Sequence, residues 1–100
     1  MNYVVRLNPA ADDDLYSLHS RIRAEAGDAI ADAYIRRVQT RILKLAIFPE
    51  RGTRRTGLPA GIRTLSFERR LLIVYLIDGK EVEVMRVIST ARDIEPLFDA

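Results

Sequence analysis

The segment from residue 71 to residue 88 limits the fold more strongly than any other part of the sequence. Residues 71–77 are all apolar or aromatic, which is typical of a central strand covered on both faces. Asp78-Gly79 follows at once, and this dipeptide favours a tight hairpin turn. The residues then alternate along a second strand, with Glu83, Met85 and Val87 on one face and Val84, Arg86 and Ile88 on the other. We therefore predict a β-hairpin at the centre of a sheet.

Two amphipathic helices are predicted ahead of this hairpin. Asn8 is a suitable N-cap with Pro9 at the first helical position, and Gly27 ends the first helix. Asp28 caps the second helix, which runs to about Leu45 before Pro49. The apolar stripes are Leu15, Leu18, Ile22 and Ala26 in the first helix, and Ala31, Ile35, Val38, Ile42 and Leu45 in the second. Because the link between them is short, the two helices should form an αα-hairpin.

Further strands complete the predicted sheet. Residues 3–7 and 62–67 have strand composition, and residues 68–70 join the second of these to the hairpin. Residues 50–60 are rich in glycine, proline and arginine and are predicted to be a loop, while residues 93–98 are predicted to form a last helical turn. The predicted order is β-α-α-β-β-β. This is an α+β fold with the αα-hairpin packed on one face of a small, mostly antiparallel sheet.

The composition is that of one globular domain spanning residues 1–100. The chain is 48% hydrophobic and 30% charged, which is typical of a chain that buries a core. It contains no cysteine, so thiolate metal sites and disulfides are excluded. No apolar run approaches the length of a membrane-spanning helix. We expect a soluble intracellular protein located in the cytoplasm, without membrane contact.

The positive charge is concentrated in the middle of the chain. Residues 51–77 contain six arginines and a single acidic residue, Glu68, whereas residues 1–50 are electrically balanced. Such a segment attracts an acidic or phosphate-bearing partner, or is a solvated loop, and its charge alone leaves both interpretations open.

Arginine is the residue with the most functional potential in the predicted sheet. If the helices cover one face, Arg63 and Arg86 project from the other, and their guanidinium groups are suited to phosphate. Cleavage of a phosphodiester would also need an acid or base, for which the candidates are Tyr75, Lys80, Glu68 and Glu83. The alternative is structural, with the two arginines paired to acidic residues such as Glu83 and Asp93. His19, at the edge of the first helical stripe, is expected to flank the core.

Several short motifs, taken in order, resemble the ParE/RelE superfamily of toxin–antitoxin toxins. They are the helical hairpin, the Pro59, Gly61, Arg63 pattern, an apolar strand with Tyr75, then Met85-Arg86-Val87-Ile88 and Ala91-Arg92-Asp93. The last two, together with the chain length, are most similar to the ParE branch, also called plasmid-stabilisation proteins. The resemblance implies a toxin held inactive by a cognate antitoxin. In the ParE branch the implied target is DNA gyrase.

The departures from the superfamily bear on the mechanism. Ser89 stands where many members have a histidine, and residues 89–100 contain neither histidine nor tyrosine. The resemblance therefore favours a toxin that binds gyrase over a RelE-like endoribonuclease acting on ribosome-bound mRNA, in which Arg63 and Arg86 would contact phosphate. An antitoxin-binding member without toxicity is a further alternative. The candidate contacts with target or antitoxin are Arg54, Arg55, Leu58, Ile62, Arg63, Arg69, Arg70, Arg86 and Arg92; no metal or cofactor is expected.

Overall fold

The chain forms two α-helices and five strands over the residues that the computed structural model describes, 2–54 and 57–90. In chain order they are β1 (Val4–Leu7), α1 (Pro9–Ala26), α2 (Asp28–Leu43), β2 (Thr53–Arg54), β3 (Ile62–Phe67), β4 (Leu71–Asp78) and β5 (Glu81–Ser89). Two short 3-10 turns, Lys44–Ala46 and Pro49–Arg51, connect α2 to β2. The predicted helical turn at residues 93–98 lies outside the described residues.

Capping residues define the start of α1 and the break between the two helices. The prediction that Asp28 caps α2 is wrong, because Asp28 is the first residue of that helix and no side chain makes a capping hydrogen bond there. The side chain of Asn8 accepts a hydrogen bond of 2.9 Å from the backbone N–H of Ala10, and Pro9 occupies the first helical position, as predicted. Gly27 has a φ of 93°, which suits glycine and separates α1 from α2. The α-helical part of α2 ends at Leu43, but the following 3-10 turn still buries Leu45. The apolar stripe thus continues beyond the C-terminal end of α2.

The sheet is mixed and has the order β1-β5-β4-β3-β2. β1 runs parallel to β5, whereas the other neighbours are antiparallel. The α+β architecture and the mostly antiparallel sheet agree with the prediction. The addition is β2, which lies in the predicted loop and pairs Thr53 with Thr64 and Arg54 with Arg63.

The two helices pack on one face of this sheet and form the main core with it. The buried residues of this cluster come from the helical segment (Ala11, Leu15, Leu18, Val38, Ile42, Leu45) and from the strands (Leu65, Phe67, Leu71, Ile73, Tyr75, Val82, Val84, Val87). The strand residues recur with the period of two that a pleated strand imposes, except in β5.

A β-bulge explains the exception in β5. Tyr75 lies opposite Val84 and Val74 lies opposite Arg86, which leaves Met85 as an extra residue. As a result Val84 and Val87, three positions apart, both enter the helix-side core, and Met85 and Ile88 both pack on the opposite side. The strict alternation that we predicted for residues 81–88 is therefore wrong beyond Val84.

The opposite face of the sheet is not open. Ile62, Leu72, Val74 and Ile88 form a second apolar cluster in which no residue is more than 7% exposed. Leu58, Leu76 and Met85 pack against it and are partly buried. β4 is therefore covered on both sides, as its apolar sequence indicated.

The helices give no indication of a membrane span. Within residues 2–54 and 57–90, neither helix combines the length and hydrophobicity that crossing a bilayer requires.

Candidate functional site

Arg63 belongs to a network that holds the segment after α2 against the sheet. It lies opposite Tyr75 and shares the helix-side face of β3 with Leu65 and Phe67. Its Nη1 donates to the backbone oxygens of Glu50 at 3.3 Å and Gly52 at 3.1 Å. The side chain thus satisfies carbonyl groups of its own chain, rather than projecting from the opposite face as predicted.

Tyr75 completes the same network from the neighbouring strand. Its hydroxyl donates to the backbone oxygen of Pro49 and accepts from the backbone N–H of Gly52, both at 2.8 Å. The side chain is fully buried, and this burial is the main cause that raises the pKa of Tyr75 above its usual value. A protonated phenol that makes two hydrogen bonds to the backbone has a structural role and is a poor candidate for the general base that we considered.

Gly52 occupies its position because no side chain fits there. A Cβ atom on Gly52 would lie 2.5 Å from the hydroxyl oxygen of Tyr75 and 2.8 Å from the backbone oxygen of Thr64. The sequence analysis treated Gly52 only as part of a loop. Its contact with Tyr75 depends on the pairing of distant segments, and no local pattern indicated it.

Arg86 forms the best-satisfied ion pair in the described residues, with Asp14 of α1. Its Nε and Nη2 donate to the two carboxylate oxygens at 2.8 and 2.9 Å, and Asp14 also accepts from the backbone N–H of Val87 at 2.9 Å. Both side chains are largely buried, and the hydrogen bond to Asp14 is the main cause that raises the pKa of Arg86.

This pair corrects two expectations. Among the described residues the acidic partner of Arg86 is Asp14, not Glu83, and its guanidinium is bonded to α1 instead of projecting freely from the opposite face. Asp93 lies outside the described residues. Arg86 lies opposite Val74 of the second apolar cluster, so the residue itself belongs to the opposite face of β5, and its long side chain reaches Asp14 of α1 from there. The sequence analysis did not single out Asp14, although its i, i+4 relation to Leu18 of the buried stripe places it towards the sheet.

The turn between β3 and β4 presents a cation-rich surface next to α2. Glu68 and Arg69 have φ values of 49° and 61°, the left-handed region that suits a tight hairpin turn but disfavours such side chains. The turn directs Glu68 to Arg37 of α2, whose Nε and Nη2 donate to it at 3.0 and 3.1 Å. These bonds are the main cause that lowers the pKa of Glu68.

Aromatic contacts support the same junction of α2 and the turn. Arg37 lies over the ring of Tyr34, with its guanidinium carbon 5.1 Å from the ring centre. Tyr34 meets Phe67 edge to face, with ring centres 5.8 Å apart. Arg36, Arg41 and Lys44 continue the basic surface along α2 and line one groove with Arg37 and Glu68.

The remaining acid, base and metal candidates have structural partners or form no cluster. Glu83 accepts from Arg6 at 3.2 Å and from Asn8 at 3.0 Å. His19 bonds to Asp32 across the helical hairpin at 2.7 Å, which fits the flanking role expected of it. Among residues 2–54 and 57–90, no three acidic or histidine side chains are grouped as metal ligands.

The predicted binding residues are distributed over several surfaces. Arg54 is exposed in the edge strand β2, and Arg69 and Arg70 are exposed in the β3–β4 turn. Ile62 is buried, and Leu58 packs beside it in the second apolar cluster. Arg55 and Arg92 lie outside the described residues. The structure therefore brings these candidates together only in part.

An exposed apolar patch was not predicted from the sequence. Leu43 at the end of α2 and Ile47 and Phe48 just after it are 63%, 57% and 62% exposed. Ile47 and Phe48 also line an open groove of about 620 Å³ with Tyr3 and Pro49. The available indication was that these apolar residues fall off the core stripe of α2.

The arrangement of helices and sheet recurs in other solved structures. A structure described as the chromosomal ParDE TA system from P. aeruginosa aligns with a TM-score of 0.77 at 20% identity, covering 87% of this chain and 95% of that one. A conserved hypothetical protein from Helicobacter pylori aligns with a TM-score of 0.59 at 18% identity, over 90% and 97% of the two chains. These likenesses define the fold class as RelE/ParE-like.

Sequence comparison identifies the family within that fold class. The model of the ParE toxin of the type II toxin–antitoxin system, parDE, matches residues 5–94, and the chain belongs to this family. Toxin ParE3 of Caulobacter vibrioides is 27% identical over 89 residues, 89% of this chain and 87% of that protein. The RelBE2 toxin–antitoxin complex of Mycobacterium tuberculosis has a chain 26% identical, with a TM-score of 0.60 over 89% of this chain and 99% of that one. The resemblance stated from the sequence is confirmed.

Proposed function

We propose that this ParE-family toxin inhibits DNA gyrase by binding to it, without catalysing a reaction itself. We also propose that a cognate antitoxin neutralises the toxin. The observation that carries the proposal is the commitment of Arg63, Arg86 and Tyr75 to intramolecular contacts. Groups already bonded to their own chain are poorly placed to handle protons or phosphate during catalysis. Binding is the activity that best fits such a surface, and membership of the ParE family supports gyrase as the target.

We infer that the target contacts the apolar patch of Leu43, Ile47 and Phe48. Protein interfaces are built around apolar and aromatic residues at a centre depleted of charge, with a polar rim. The patch fits this description. Phe48 is an exposed aromatic residue, and the groove beside it is bordered by the charged residues Glu50 and Arg51. Phe48 would act as the aromatic anchor.

The test is a supercoiling assay with purified toxin and gyrase, followed by detection of the cleavage complex. We expect loss of supercoiling and accumulation of cleaved DNA at micromolar toxin. Gyrase that remains fully active at this concentration would contradict the proposal.

The patch is tested with Phe48→Ser and the matched control Tyr16→Ser. Both residues are exposed aromatics, 62% and 76%, but Tyr16 belongs to α1 and is not one of the residues of the patch. We expect Phe48→Ser to weaken inhibition at least tenfold and Tyr16→Ser to leave it unchanged. A Phe48→Ser variant that inhibits normally but no longer binds antitoxin would assign the patch to the antitoxin instead.

The antitoxin itself is proposed to be a chain whose disordered segment folds on the toxin as a helix or added strand. Co-expression with the product of the neighbouring reading frame should give one co-eluting, non-toxic complex. A toxin that elutes separately and remains equally toxic would contradict this part of the proposal.

A RelE-like endoribonuclease is the second candidate, and the likeness to the RelBE2 chain favours considering it. In that case Arg63 and Arg86 would contact phosphate after leaving their present partners. A translating extract dosed with toxin separates the two functions. Intact mRNA in that extract would exclude the ribonuclease.

A further inference from the structure

Among residues 2–54 and 57–90, the groove between α2 and the β3–β4 turn carries more positive charge than its own carboxylate balances. Arg36, Arg37, Arg41 and Lys44 line this basic groove, together with Phe67 and the single carboxylate of Glu68. The groove is open to solvent and has a volume of about 460 Å³.

In the part of the chain that the structure describes, one of these four cations is neutralised by a direct contact. Glu68 bonds to Arg37, and it also interacts electrostatically with Arg41 and with Arg70 of the turn. Within residues 2–54 and 57–90, Arg36 and Lys44 make no ion pair, and the buried Nε of Arg41 has no hydrogen-bond acceptor. A buried donor without an acceptor requires an explanation, and an anion beside the guanidinium is one.

The cations form a row that matches an extended anion better than a small one. Arg36 of α2 and Lys44, the residue directly after α2, are eight residues apart, which corresponds to about 12 Å along the helix axis. A duplex carries one charge per about 1.7 Å of its axis, so a segment of that length presents about seven phosphates. A single carboxylate or free phosphate would engage only one part of the row.

The residues that line the basic groove favour nucleic acid over an acidic protein as its ligand. Protein interfaces have aromatic residues and few charges at their centre, but Phe67 is only 4% exposed and Tyr34 lies beneath Arg37. Protein–DNA interfaces are instead strongly positive and polar. We propose that the basic groove binds the phosphate backbone of duplex DNA without reading its sequence. This goes beyond the proposed function, because it gives the chain a contact with DNA that does not require gyrase.

The experiment measures binding of the purified chain, without gyrase, to a labelled duplex of roughly 20 base pairs by fluorescence anisotropy. We expect dissociation constants of about 10⁻⁶ to 10⁻⁴ M, similar for two unrelated sequences and weakening steeply between about 50 and 200 mM salt. Failure of wild-type protein to bind in this range would overturn the proposal and leave the gyrase proposal untouched.

A pair of charge-matched variants locates the site. Arg36→Gln/Lys44→Gln and the control Arg6→Gln/Arg23→Gln both lower the formal net charge from +2 to 0. Arg6 and Arg23 lie elsewhere and already have acidic neighbours, Glu83 and Asp28. The groove variant should bind at least tenfold more weakly, with a salt slope smaller by about 1.8, while the control changes little.

Equal loss in both folded variants, judged by their thermal unfolding, would show a net-charge effect and contradict the groove. A glutamate-rich peptide that binds as tightly as DNA at equal charge and salt would contradict the preference for phosphate.

Discussion

Replacing Tyr75 with phenylalanine should destabilise the fold although the ring itself remains. The hydroxyl of Tyr75 bonds to the backbone oxygen of Pro49 and to the backbone N–H of Gly52. Pro49 and Gly52 are both buried, so water does not readily replace the missing oxygen atom. Tyr75→Phe therefore leaves one buried acceptor and one buried donor without a partner.

The magnitude follows from those two backbone groups. Leaving a buried polar group unpaired costs about 1–3 kcal/mol, and two such groups would cost at most about 6 kcal/mol. Arg63 still bonds to the carbonyls of Glu50 and Gly52 and keeps the segment in place, so relaxation is local. We expect the free energy of unfolding to fall by about 2–4 kcal/mol.

Urea and thermal unfolding measure this loss directly. In a domain of this size each kcal/mol shifts the unfolding midpoint by about 4–8 °C, so the expected shift is at least about 8 °C. Tyr16→Phe is the matched control, because Tyr16 is 76% exposed and should change stability by less than about 0.5 kcal/mol. Hydrogen exchange at the Gly52 amide should accelerate in Tyr75→Phe alone.

The reasoning is refuted if Tyr75→Phe is as stable as Tyr16→Phe. A second check uses Gly52→Ala, whose Cβ would lie 2.5 Å from the Tyr75 hydroxyl. In the Tyr75→Phe background that contact disappears, so the two substitutions should cost less together than the sum of their separate effects. Strict additivity would show that Gly52 and Tyr75 act independently.

Three further predictions concern the other contacts. Asp14→Asn, which weakens the partly buried bonds to Arg86 and Val87, should lower stability by about 2–4 kcal/mol in urea unfolding, whereas Asn at exposed Asp13 should change it by less than about 0.5 kcal/mol. The Arg37 contact lowers the pKa of Glu68 in the folded state, so the stabilisation of the fold by this pair is complete above pH 4.5 and is lost as the pH falls through the folded-state pKa. Glu68→Gln should therefore make the urea midpoint less dependent on pH in that acid range. Burial raises the pKa of Tyr75 above 10.0, so its contribution is complete below that pH and is lost as the pH rises through the folded-state pKa; alkaline unfolding should therefore be less steep in Tyr75→Phe.

The fold was predictable where local sequence and tertiary packing favour the same structure. Asn8, Pro9 and Gly27 carry the capping chemistry of the helices, and the apolar run of β4 requires cover on both faces. The parallel pairing of β1 with β5 follows from no local pattern, because it joins the two ends of the described chain. The two-residue strand β2 is likewise produced by its neighbour β3.

The candidate site was less predictable because its bonds join distant segments. Arg86 and Asp14 are 72 residues apart, and the Tyr75 hydroxyl reaches backbone groups 23 and 26 residues away. Periodicity assigns a side chain to a face only while the strand is regular, and the bulge at Met85 changes the assignment. A residue type could be recognised from the sequence, but its partner could not.

The positions of the arginines separate those that stabilise the fold from those available to a ligand. Arg63 and Arg86 lie within β3 and β5, where desolvated guanidinium groups need acceptors, and each has found them in its own chain. Arg36 and Lys44 lie on a helix surface where water already satisfies them, so an anion can approach without first breaking an internal bond. Substituting Arg63 or Arg86 should therefore mainly lower stability. Substituting Arg36 and Lys44 should weaken binding with little effect on stability. Binding that is lost from folded Arg63 or Arg86 variants, but kept by Arg36→Gln/Lys44→Gln, would reverse this assignment.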